Sequence, residues 1–256
     1  MSGAALALDR LSVRFGGLRA VQAVSLAVRD GEIFSIIGPN GAGKTTIFNA
    51  VSGLYAPSSG EIVFGGRRIT GLPPHARARL GISRTFQNIR LFRELTVREN
   101  VRVARYARTR AGVLASLLRT PAMRRERRQT DGAVDALLER LGLAERAEER
   151  AGNLPYGEQK RLEIARALAA EPRLLLLDEP AAGTSAAEAA ELMALIRGLR
   201  DRGLTILLVE HHIRVVMQVS DRVAVLNHGE LIGEGPPEAI RRDPAVIAAY
   251  LGEEAR

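Results

Sequence analysis

Residues 38–45 read Gly-Pro-Asn-Gly-Ala-Gly-Lys-Thr, and this octapeptide restricts the fold of the chain more than any other segment. It fits the pattern G-x-x-x-x-G-K-[ST], which cradles phosphate where it follows a strand and opens a helix. Both conditions are met, because the apolar run IFSII comes immediately before it and TTIFNAVSG continues as a helix closed by Gly53. The sequence therefore predicts a strand, a glycine-rich loop and a helix in succession, which is typical of a parallel α/β fold.

The residue types in this loop predict a site for a polyphosphate and its metal ion. Glycines permit a tight turn in which backbone N–H groups and the helix N-terminus point at an anion. Lys44 is expected to reach the β- and γ-phosphate oxygens, and the Thr45 hydroxyl is expected to ligate Mg²⁺. Lysine occurs only at positions 44 and 160 against a large excess of arginine, which suggests a requirement at position 44 that arginine does not meet. An ordinary glycine-rich turn is the alternative. The predicted nucleotide contacts are Asn40, Gly41, Ala42, Gly43, Lys44, Thr45 and Thr46.

A second candidate site is the acidic pair Asp178 and Glu179, which ends the run LLLLDEP. A wholly apolar strand of this kind is buried, and parallel sheets bind their ligands at the carboxyl ends of strands. Asp178 is expected to hold the Mg²⁺ shell, and Glu179 is placed to polarise the water that attacks a γ-phosphate. An acidic pair ending a strand is by itself a common surface feature, but the phosphate loop favours the functional interpretation.

Composition excludes several classes of protein. The chain has 256 residues, 46% hydrophobic and 26% charged, so it can bury a sizeable core in one large domain or two subdomains. It has no cysteine, which excludes disulfides, zinc–thiolate sites and thiol nucleophiles. No apolar run approaches the roughly 20 residues that span a bilayer, and residues 1–10 lack the features of a secretory signal. A cytoplasmic location is therefore expected.

The positive charge of the chain has two interpretations. The net charge is +8, and many of the arginines lie between Arg102 and Arg128. This cluster could follow the phosphates of a nucleic acid. Alternatively, it forms a solvated helical face or one that meets anionic lipid headgroups. We favour the second interpretation, because no aromatic residues suited to base stacking are interleaved beyond Tyr106. No nucleic-acid partner is expected.

Periodicity along the chain predicts an α/β fold in three segments. Residues 6–37 alternate as short strands, and EIVFGGRRI adds another. Helical periodicity dominates residues 88–169, and after it LLLLDEP and LTILLVEHH read as strands joined by a helix, as in a parallel sheet. The predicted divisions are residues 1–87, with an antiparallel β subdomain and the phosphate loop, residues 88–169, a helical subdomain, and residues 170–256, the second part of the core.

Taken together, these motifs resemble those of ABC (ATP-binding cassette) ATPases over essentially the whole chain. The resemblance implies a P-loop NTPase, RecA-like core with an N-terminal antiparallel β subdomain and an inserted α-helical subdomain. It makes Gln87 the residue that senses Mg²⁺ and the attacking water, His211 the contact of the γ-phosphate, and Phe15 the residue that stacks on adenine. Without the family resemblance, His211 would be interpreted as a hydrogen-bonded structural histidine and Phe15 as a residue of the hydrophobic core. The implied ligands are ATP and Mg²⁺, the implied metal-site residues are Thr45, Gln87 and Asp178, and the implied catalytic residues are Lys44, Gln87, Glu179 and His211.

The chain departs from the family pattern in two places. The signature L-S-G-G-Q, which in this family binds the ATP held by the opposite subunit of a dimer, aligns with Leu154 and the signature residues Pro155, Tyr156, Gly157 and Glu158. Pro155 replaces the serine whose hydroxyl meets the γ-phosphate, and Tyr156 replaces a glycine at a point of close backbone approach. Ser185 stands where an aspartate is usual. The changes at Pro155 and Tyr156 predict a weakened half-site, and the change at Ser185 is expected to affect communication across the dimer.

Less universal segments indicate which kind of transporter this cassette serves. RTFQNIRLFRELTVRENVRVA, LLRTPAMRRERR and DPAVIAAYLGEEA each resemble the ATPase of branched-chain amino-acid importers. The resemblance implies two membrane permease subunits, a second ATP-binding subunit and an extracytoplasmic substrate-binding protein. A heterodimer of two ATP-binding subunits is expected, with a homodimer as the alternative. In either case the expected location is peripheral, on the inner face of the cell membrane. Related systems for urea or amide import and for lipopolysaccharide export are the alternatives.

Two further classes compete with a transporter subunit. A soluble ABC ATPase acting on DNA or ribosomes would use the arginine-rich segment, but the chain has neither a long heptad insertion nor a second cassette. A small-molecule kinase would share the phosphate loop and leave Gln87, His211 and the degenerate signature unexplained.

Overall fold

The computed structural model describes residues 4–86, 89–105, 121–210 and 213–254. The chain forms two compact units. Residues 1–87 and 173–256 make up one, called here the core unit, and residues 88–172 make up the other, called the helical unit. The described helices include none that is long and apolar enough to cross a membrane.

The core unit contains an antiparallel sheet with the strand order β2-β1-β4-β5. Its strands are β1 (Ala4–Phe15), β2 (Leu18–Arg29), β4 (Ser59–Phe64) and β5 (Arg67–Arg68). β1 and β2 have 12 residues each and are therefore longer than the short strands expected from the sequence. The reason is that bulges along the β1–β2 pairing absorb the irregular alternation without ending either strand.

The second sheet of the core unit has the order β10-β9-β3-β8-β7-β6. Its strands are β3 (Ile33–Ile37), β6 (Ile82–Arg84), β7 (Leu174–Asp178), β8 (Thr205–Val209), β9 (Arg222–Asn227) and β10 (Glu230–Gly235). All neighbouring pairs are parallel except β9–β10. Every residue of β3, β7 and β8 is buried, as expected of parallel strands covered on both faces. Because β8 lies between β3 and β7, the segments that follow these three strands emerge at one edge of the sheet.

The helices of the core unit are α1 (Lys44–Ser52), α2 (Pro74–Arg79), α6 (Ala186–Arg200), α7 (Ile213–Val219), α8 (Pro237–Ile240) and α9 (Pro244–Glu254). Gly53 ends α1 in a left-handed conformation, as its sequence position predicts. The apolar side of α1, with Ile47, Phe48 and Val51, belongs to the main hydrophobic core.

A buried arginine from α2 closes the C-terminal end of α1. The Arg77 side chain is almost wholly buried, and its guanidinium donates to the carbonyls of Ala50 at 2.6 Å and Val51 at 2.7 Å. It also donates to the carbonyls of Thr70 and Leu72, both at 2.9 Å. Burial lowers the pKa of this guanidinium. The bond to Val51 reaches a carbonyl in the last turn of α1, where carbonyls have no partner within the helix, and a cation here complements the helix dipole.

The helical unit contains α3 (Val97–Arg105), α4 (Pro121–Arg140) and α5 (Tyr156–Ala169), with 3₁₀ turns at Ala144–Arg146 and Ala151–Asn153. Its buried apolar residues include Val97, Val101, Leu138, Leu141, Leu143 and Leu162. Part of the predicted basic cluster, including Tyr106, lies outside the described residues. Of the described arginines, Arg102 pairs with Asp131 at 2.8 Å and Arg105 with Glu171 at 2.8 Å.

Candidate active site

Two glycines give the loop between β3 and α1 its shape. Gly38 has a φ of 150°, and a Cβ atom there would lie 2.1 Å from the carbonyl oxygen of Leu226. Gly43, immediately before α1, has a φ of 101°, and a Cβ there would lie 2.5 Å from the carbonyl oxygen of Ala20. Any side chain at either position would collide with backbone, so glycine is required at both.

The outer side of the loop is open. Gly41 has a φ of 79°, a Cβ atom there would meet nothing within 4 Å, and both Asn40 and Gly41 are exposed. Thr45 is exposed and Thr46 half-buried in the first turn of α1, whereas Ala42 is buried and donates its N–H to the Pro39 carbonyl at 3.1 Å. The first N–H groups of a helix have no carbonyl partner within it, so the open side of this loop is a concave set of donors suited to an anion.

Lys44 extends back across this loop. Its ammonium group donates to the carbonyl oxygens of Gly38 at 2.6 Å and Pro39 at 2.8 Å, and its side chain is buried. Both carbonyls belong to the loop itself, so the cation lies where loop and helix N-terminus meet. Phosphate oxygens would add to a site that already concentrates positive charge.

Asp178 and Glu179 lie at the end of β7, which is separated from β3 by β8 alone. Asp178 is the last residue of β7 and is buried, whereas Glu179 is half-buried and has a φ of 46°. A positive φ is strained for a glutamate, and such strain persists only where surrounding bonds impose it. The Glu179 N–H donates to the Val209 carbonyl of β8 at 2.8 Å, which fixes this backbone.

The sequence analysis did not identify Arg84, which links Asp178 to α1, the helix that follows the glycine-rich loop. Its guanidinium forms an ion pair with Asp178 Oδ2 at 2.7 Å and donates to Asn49 Oδ1 at 2.5 Å and Ser52 Oγ at 3.1 Å. It also lies over the Phe48 and Phe86 rings, 5.7 and 5.4 Å from their centroids. The signal in the sequence was an arginine three residues before Gln87. In the structure this arginine is the last residue of β6, which pairs with the buried β7.

Phe15 is at the end of β1 and has 45% of its surface exposed. Its ring meets that of Tyr55 edge-on, with centroids 5.1 Å apart. Tyr55 follows α1 and was not predicted to take part in the site. Because the Phe15 ring is exposed, it can offer a face for stacking on a planar ligand.

The signature residues belong to the helical unit and start a helix. Pro155 precedes α5 at its N-cap, with φ −54° and ψ 153°, and makes no side-chain capping bond. Tyr156 is exposed, and the Lys160 ammonium lies 5.6 Å from its ring centroid. Gly157 is in the first turn, and Glu158 lies 3.6 Å from the Arg146 guanidinium. A helix N-terminus is thus present without the hydroxyl that the family's serine would supply.

Two predicted residues, Gln87 and His211, lie outside the described residues. The residue preceding each is described: Phe86 lies beside Arg84, and Glu210 follows β8 and is fully buried. Ser185 has a local role. It caps α6 by accepting from the Glu188 N–H, while Glu188 accepts from the Ser185 N–H. This reciprocal capping box accounts for a hydroxyl where the family usually has aspartate.

The donor set fits a nucleoside triphosphate with Mg²⁺. Thr45 and Asp178 offer hard oxygen ligands of the kind that Mg²⁺ prefers. Among the residues that the structure describes, no group of three or more His, Cys, Asp or Glu side chains could hold a metal ion. Mg²⁺ at nucleotide sites is usually held by one or two protein oxygens together with substrate phosphates. The glycine-lined cradle and Lys44 would take the phosphates themselves.

Comparison with known proteins gives consistent matches over the full chain. Residues 21–182 match the family model described as ABC transporter, and residues 230–256 match one described as branched-chain amino acid ATP-binding cassette transporter. The high-affinity branched-chain amino acid transport ATP-binding protein LivG of Salmonella typhimurium is 50% identical over 254 residues, covering 99% of this chain and 100% of the relative. BraF of Pseudomonas aeruginosa, described in the same words, is 48% identical with the same coverage.

A more distant relative and two solved structures complete the comparison. The lipopolysaccharide export system ATP-binding protein LptB of Haemophilus influenzae is 37% identical, covering 97% of this chain and 98% of the relative. The ADP conformation of MJ1267, an ATP-binding cassette of an ABC transporter, superposes with a TM-score of 0.85 at 31% identity over 98% of this chain and 100% of that one. A nucleotide-free cassette from an ABC transporter gives 0.84 at 31% identity over 96% and 98%.

Proposed function

Because this chain belongs to the ABC transporter family of ATP-binding cassettes, we propose that it is the ATP-hydrolysing subunit of an importer of branched-chain amino acids. The observation that carries the proposal is a phosphate cradle and an acidic strand end at one edge of the same sheet, in a chain 50% identical throughout to LivG. The fold expected from the sequence, a P-loop core with an antiparallel β subdomain and inserted helices, is confirmed by the solved cassettes.

The proposed reaction is hydrolysis of ATP to ADP and phosphate. The loop N–H groups and Lys44 bind the β- and γ-phosphates, and Thr45 and Asp178 would hold the Mg²⁺, which neutralises charge on the phosphate oxygens. Glu179 orients a water molecule whose oxygen bonds to the γ-phosphorus as the bond to the bridging oxygen breaks. The carboxylate takes up the proton of that water. Gln87 and His211 are proposed to contact the water and the γ-phosphate, and Phe15 to stack on adenine.

A second cassette would complete the reaction site. In the proposed heterodimer the signature of one subunit covers the ATP bound to the other. Pro155 supplies no hydroxyl, and Tyr156 places a large exposed ring where the family has glycine. We therefore propose that hydrolysis occurs mainly at the site that combines Lys44 and Glu179 of this chain with the signature of its partner. A homodimer would have to use the altered signature at both sites.

Cassettes of transporters work with membrane permease subunits, and residues just after Gln87 are proposed to meet them. Phe92 is 47% exposed, and its N–H and carbonyl are both held at 2.9 Å by the amide side chain of Asn100, which is buried. The Arg166 guanidinium, whose pKa is lowered by burial, lies 4.9 Å from the Phe92 ring centroid. Such fixation presents an apolar ring on the surface for a permease helix. Asn88 lies outside the described residues.

The proposed assembly has two permease subunits, two cassettes and an extracytoplasmic substrate-binding protein that delivers the amino acid. The cassette pair would sit on the inner face of the cell membrane. Import of branched-chain amino acids ranks above lipopolysaccharide export because LivG and BraF are more similar to this chain than LptB is. It ranks above urea or amide import because residues 230–256 match a model described as branched-chain amino acid ATP-binding cassette transporter.

The test is ATPase activity of the assembled transporter in membranes with each candidate substrate. Leucine, isoleucine or valine, presented on the binding protein, should stimulate hydrolysis, and urea or lipopolysaccharide should not. Glu179→Gln in this subunit alone should remove most of the activity, whereas Glu238→Gln, at an exposed position in α8, should not. Full activity of the Glu179→Gln transporter would refute the asymmetric assignment.

Retention of nucleotide by the purified chain tests the cradle independently of transport. Lys44→Ala should weaken ATP binding, because the ammonium group is part of the cradle. Equal ATP retention by the wild type and this variant would exclude the proposed site. Copurification with nucleic acid instead of permeases would favour the soluble alternative.

A further inference from the structure

A buried carboxylate outside the predicted catalytic set lies at the end of β8. Glu210 is fully buried, directly after the last residue of the strand. Its Oε1 accepts a hydrogen bond of 2.8 Å from the N–H of Ala181, two residues beyond Glu179. The contact therefore joins the segments that follow β7 and β8, two strands paired in register at Asp178 and Val209.

This bond completes a two-point attachment of the strained turn at Glu179. The Glu179 N–H is bonded to the Val209 carbonyl at 2.8 Å, and the Ala181 N–H to the Glu210 carboxylate. Pro180, between them, has no N–H. Both backbone donors of the turn are thus held by consecutive residues at the end of β8. This arrangement accounts for a glutamate that keeps a φ of 46°.

The attachment continues into the following loop. The Ala181 carbonyl accepts the Thr184 hydroxyl at 2.8 Å and the Thr184 N–H at 3.3 Å. Ala181 therefore has both its backbone groups bonded, and the loop up to the α6 cap at Ser185 is fixed from one anchored residue. A change at Glu210 would be transmitted to Glu179 on one side and to residues 182–184 on the other.

The choice of a carboxylate at a fully buried position needs a reason, because burying a charge or polar group without compensation is costly. The bond that its oxygen accepts from the Ala181 N–H provides part of this compensation and at the same time fixes the position of that backbone. Glu210 also immediately precedes His211, so its side chain connects the start of that segment to the turn that carries Glu179.

We propose that Glu210 is a positioning residue for hydrolysis, which holds the Glu179 turn and the 181–184 loop through the Ala181 N–H. The inference rests on the proposed function, in which Glu179 activates the water. Glu210 does not touch the nucleotide in this role. It sets the geometry of the attack, so it governs turnover and not the binding of ATP by the loop before α1.

Glu210→Gln and Glu210→Met form a matched pair for the test. Glutamine retains an acceptor oxygen at the same reach, whereas methionine fills a similar volume without one. In the assembled transporter, Glu210→Met should lower kcat by about 10- to 100-fold, the scale of loss that follows misplacement of reacting groups by about 1 Å. KM for ATP, and ATP binding to the purified chain, should stay within about twofold because the cradle is untouched. Glu210→Gln should keep kcat within about threefold of the wild type.

Amide hydrogen exchange of the wild-type chain provides a second measurement that needs no variant. The Ala181 amide should be protected, and in Glu210→Met it should exchange faster while amides of β3 are unchanged. Exchange of the wild-type Ala181 amide as rapid as that of Gly183 would overturn the proposal, even if the methionine variant did not fold.

Three kinetic outcomes would also overturn it: a normal kcat in Glu210→Met, a glutamine variant as impaired as the methionine variant, or a rise in KM that accounts for the whole loss. Glu179→Gln measured in parallel separates the two levels of inference. If it retains hydrolysis, the proposed function of the site fails. If it is inactive while Glu210→Met is fully active, only the role of Glu210 fails.

Discussion

Replacing Arg84 with methionine should destabilise the core unit by about 3–5 kcal/mol, the usual cost of removing one partner of a buried ion pair. The two side chains of the pair are only 9% (Arg84) and 5% (Asp178) exposed, so the Asp178 carboxylate would lose its cation without gaining much water. Methionine keeps apolar contact with the flanking Phe48 and Phe86 rings. The measured loss therefore reports mainly on charge and hydrogen bonding.

A double-mutant cycle with Asp178→Asn isolates the pair. Each single change leaves one buried group without its partner, whereas the double variant removes both charges. The cost of the double change should therefore fall short of the sum of the two single costs by about 2 kcal/mol or more. The assay is urea unfolding without nucleotide, followed by a signal from the core unit.

The exposed pair Arg68–Glu61 is the matched control. Its side chains are 66% and 46% exposed at a distance of 3.1 Å, so the coupling between Arg68→Met and Glu61→Gln should be below about 1 kcal/mol. If the Arg84 and Asp178 costs are additive within about 0.5 kcal/mol, the reasoning is refuted, because the two groups then act independently.

Three further predictions concern local geometry. Arg77→Lys keeps the charge but loses the planar guanidinium that reaches four carbonyls, so it should cost about 2–4 kcal/mol of stability, measured by thermal unfolding. If the lysine variant were as stable as the wild type, the end of α1 would not need the guanidinium. Gly38→Ala should abolish nucleotide binding or folding, because its Cβ would lie 2.1 Å from the Leu226 carbonyl oxygen. In the control Gly71→Ala the new Cβ would meet nothing within 4 Å, so the free energy of unfolding should stay within about 0.5 kcal/mol of the wild-type value. Similar losses in both variants would contradict the steric argument. Ser185→Ala should cost about 1 kcal/mol in denaturant unfolding, whereas Ser185→Thr, which keeps the hydroxyl, should cost less. The account of the cap would be wrong if threonine were as destabilising as alanine.

Much of the fold could be predicted from the sequence, because its signals are local. Each of the main signals specifies the local conformation of a few neighbouring residues. They are the octapeptide at the start of α1, the apolar runs of β3, β7 and β8, and the glycine that ends α1. The antiparallel sheet was less accurately predicted. Alternation in residues 6–37 predicted short strands, and only the pairing of β1 with β4 and the bulged pairing between β1 and β2 shows that two of them have 12 residues each.

The shape of the loop before α1 was predictable for the same reason, since Gly38, Gly43 and Lys44 are defined by their spacing. Ser185 was visible as a departure from the family pattern, but its capping role required the position of the helix that follows. Tyr55 gave no signal, because nothing in the sequence places the end of α1 beside the end of β1.

The sequence by itself determined the parallel core, the glycine-rich loop before α1 and the acidic strand end, because local steric and hydrophobic rules specify each of them. Only the tertiary structure decided which charged side chains and backbone groups are in contact. Arg84 and Asp178 are 94 residues apart in the chain, and Glu210 and Ala181 are 29 apart. No periodicity connects such positions. Their contacts arise because strand order in the sheet brings the ends of β6, β7 and β8 together, and burial then makes each hydrogen bond between them strong.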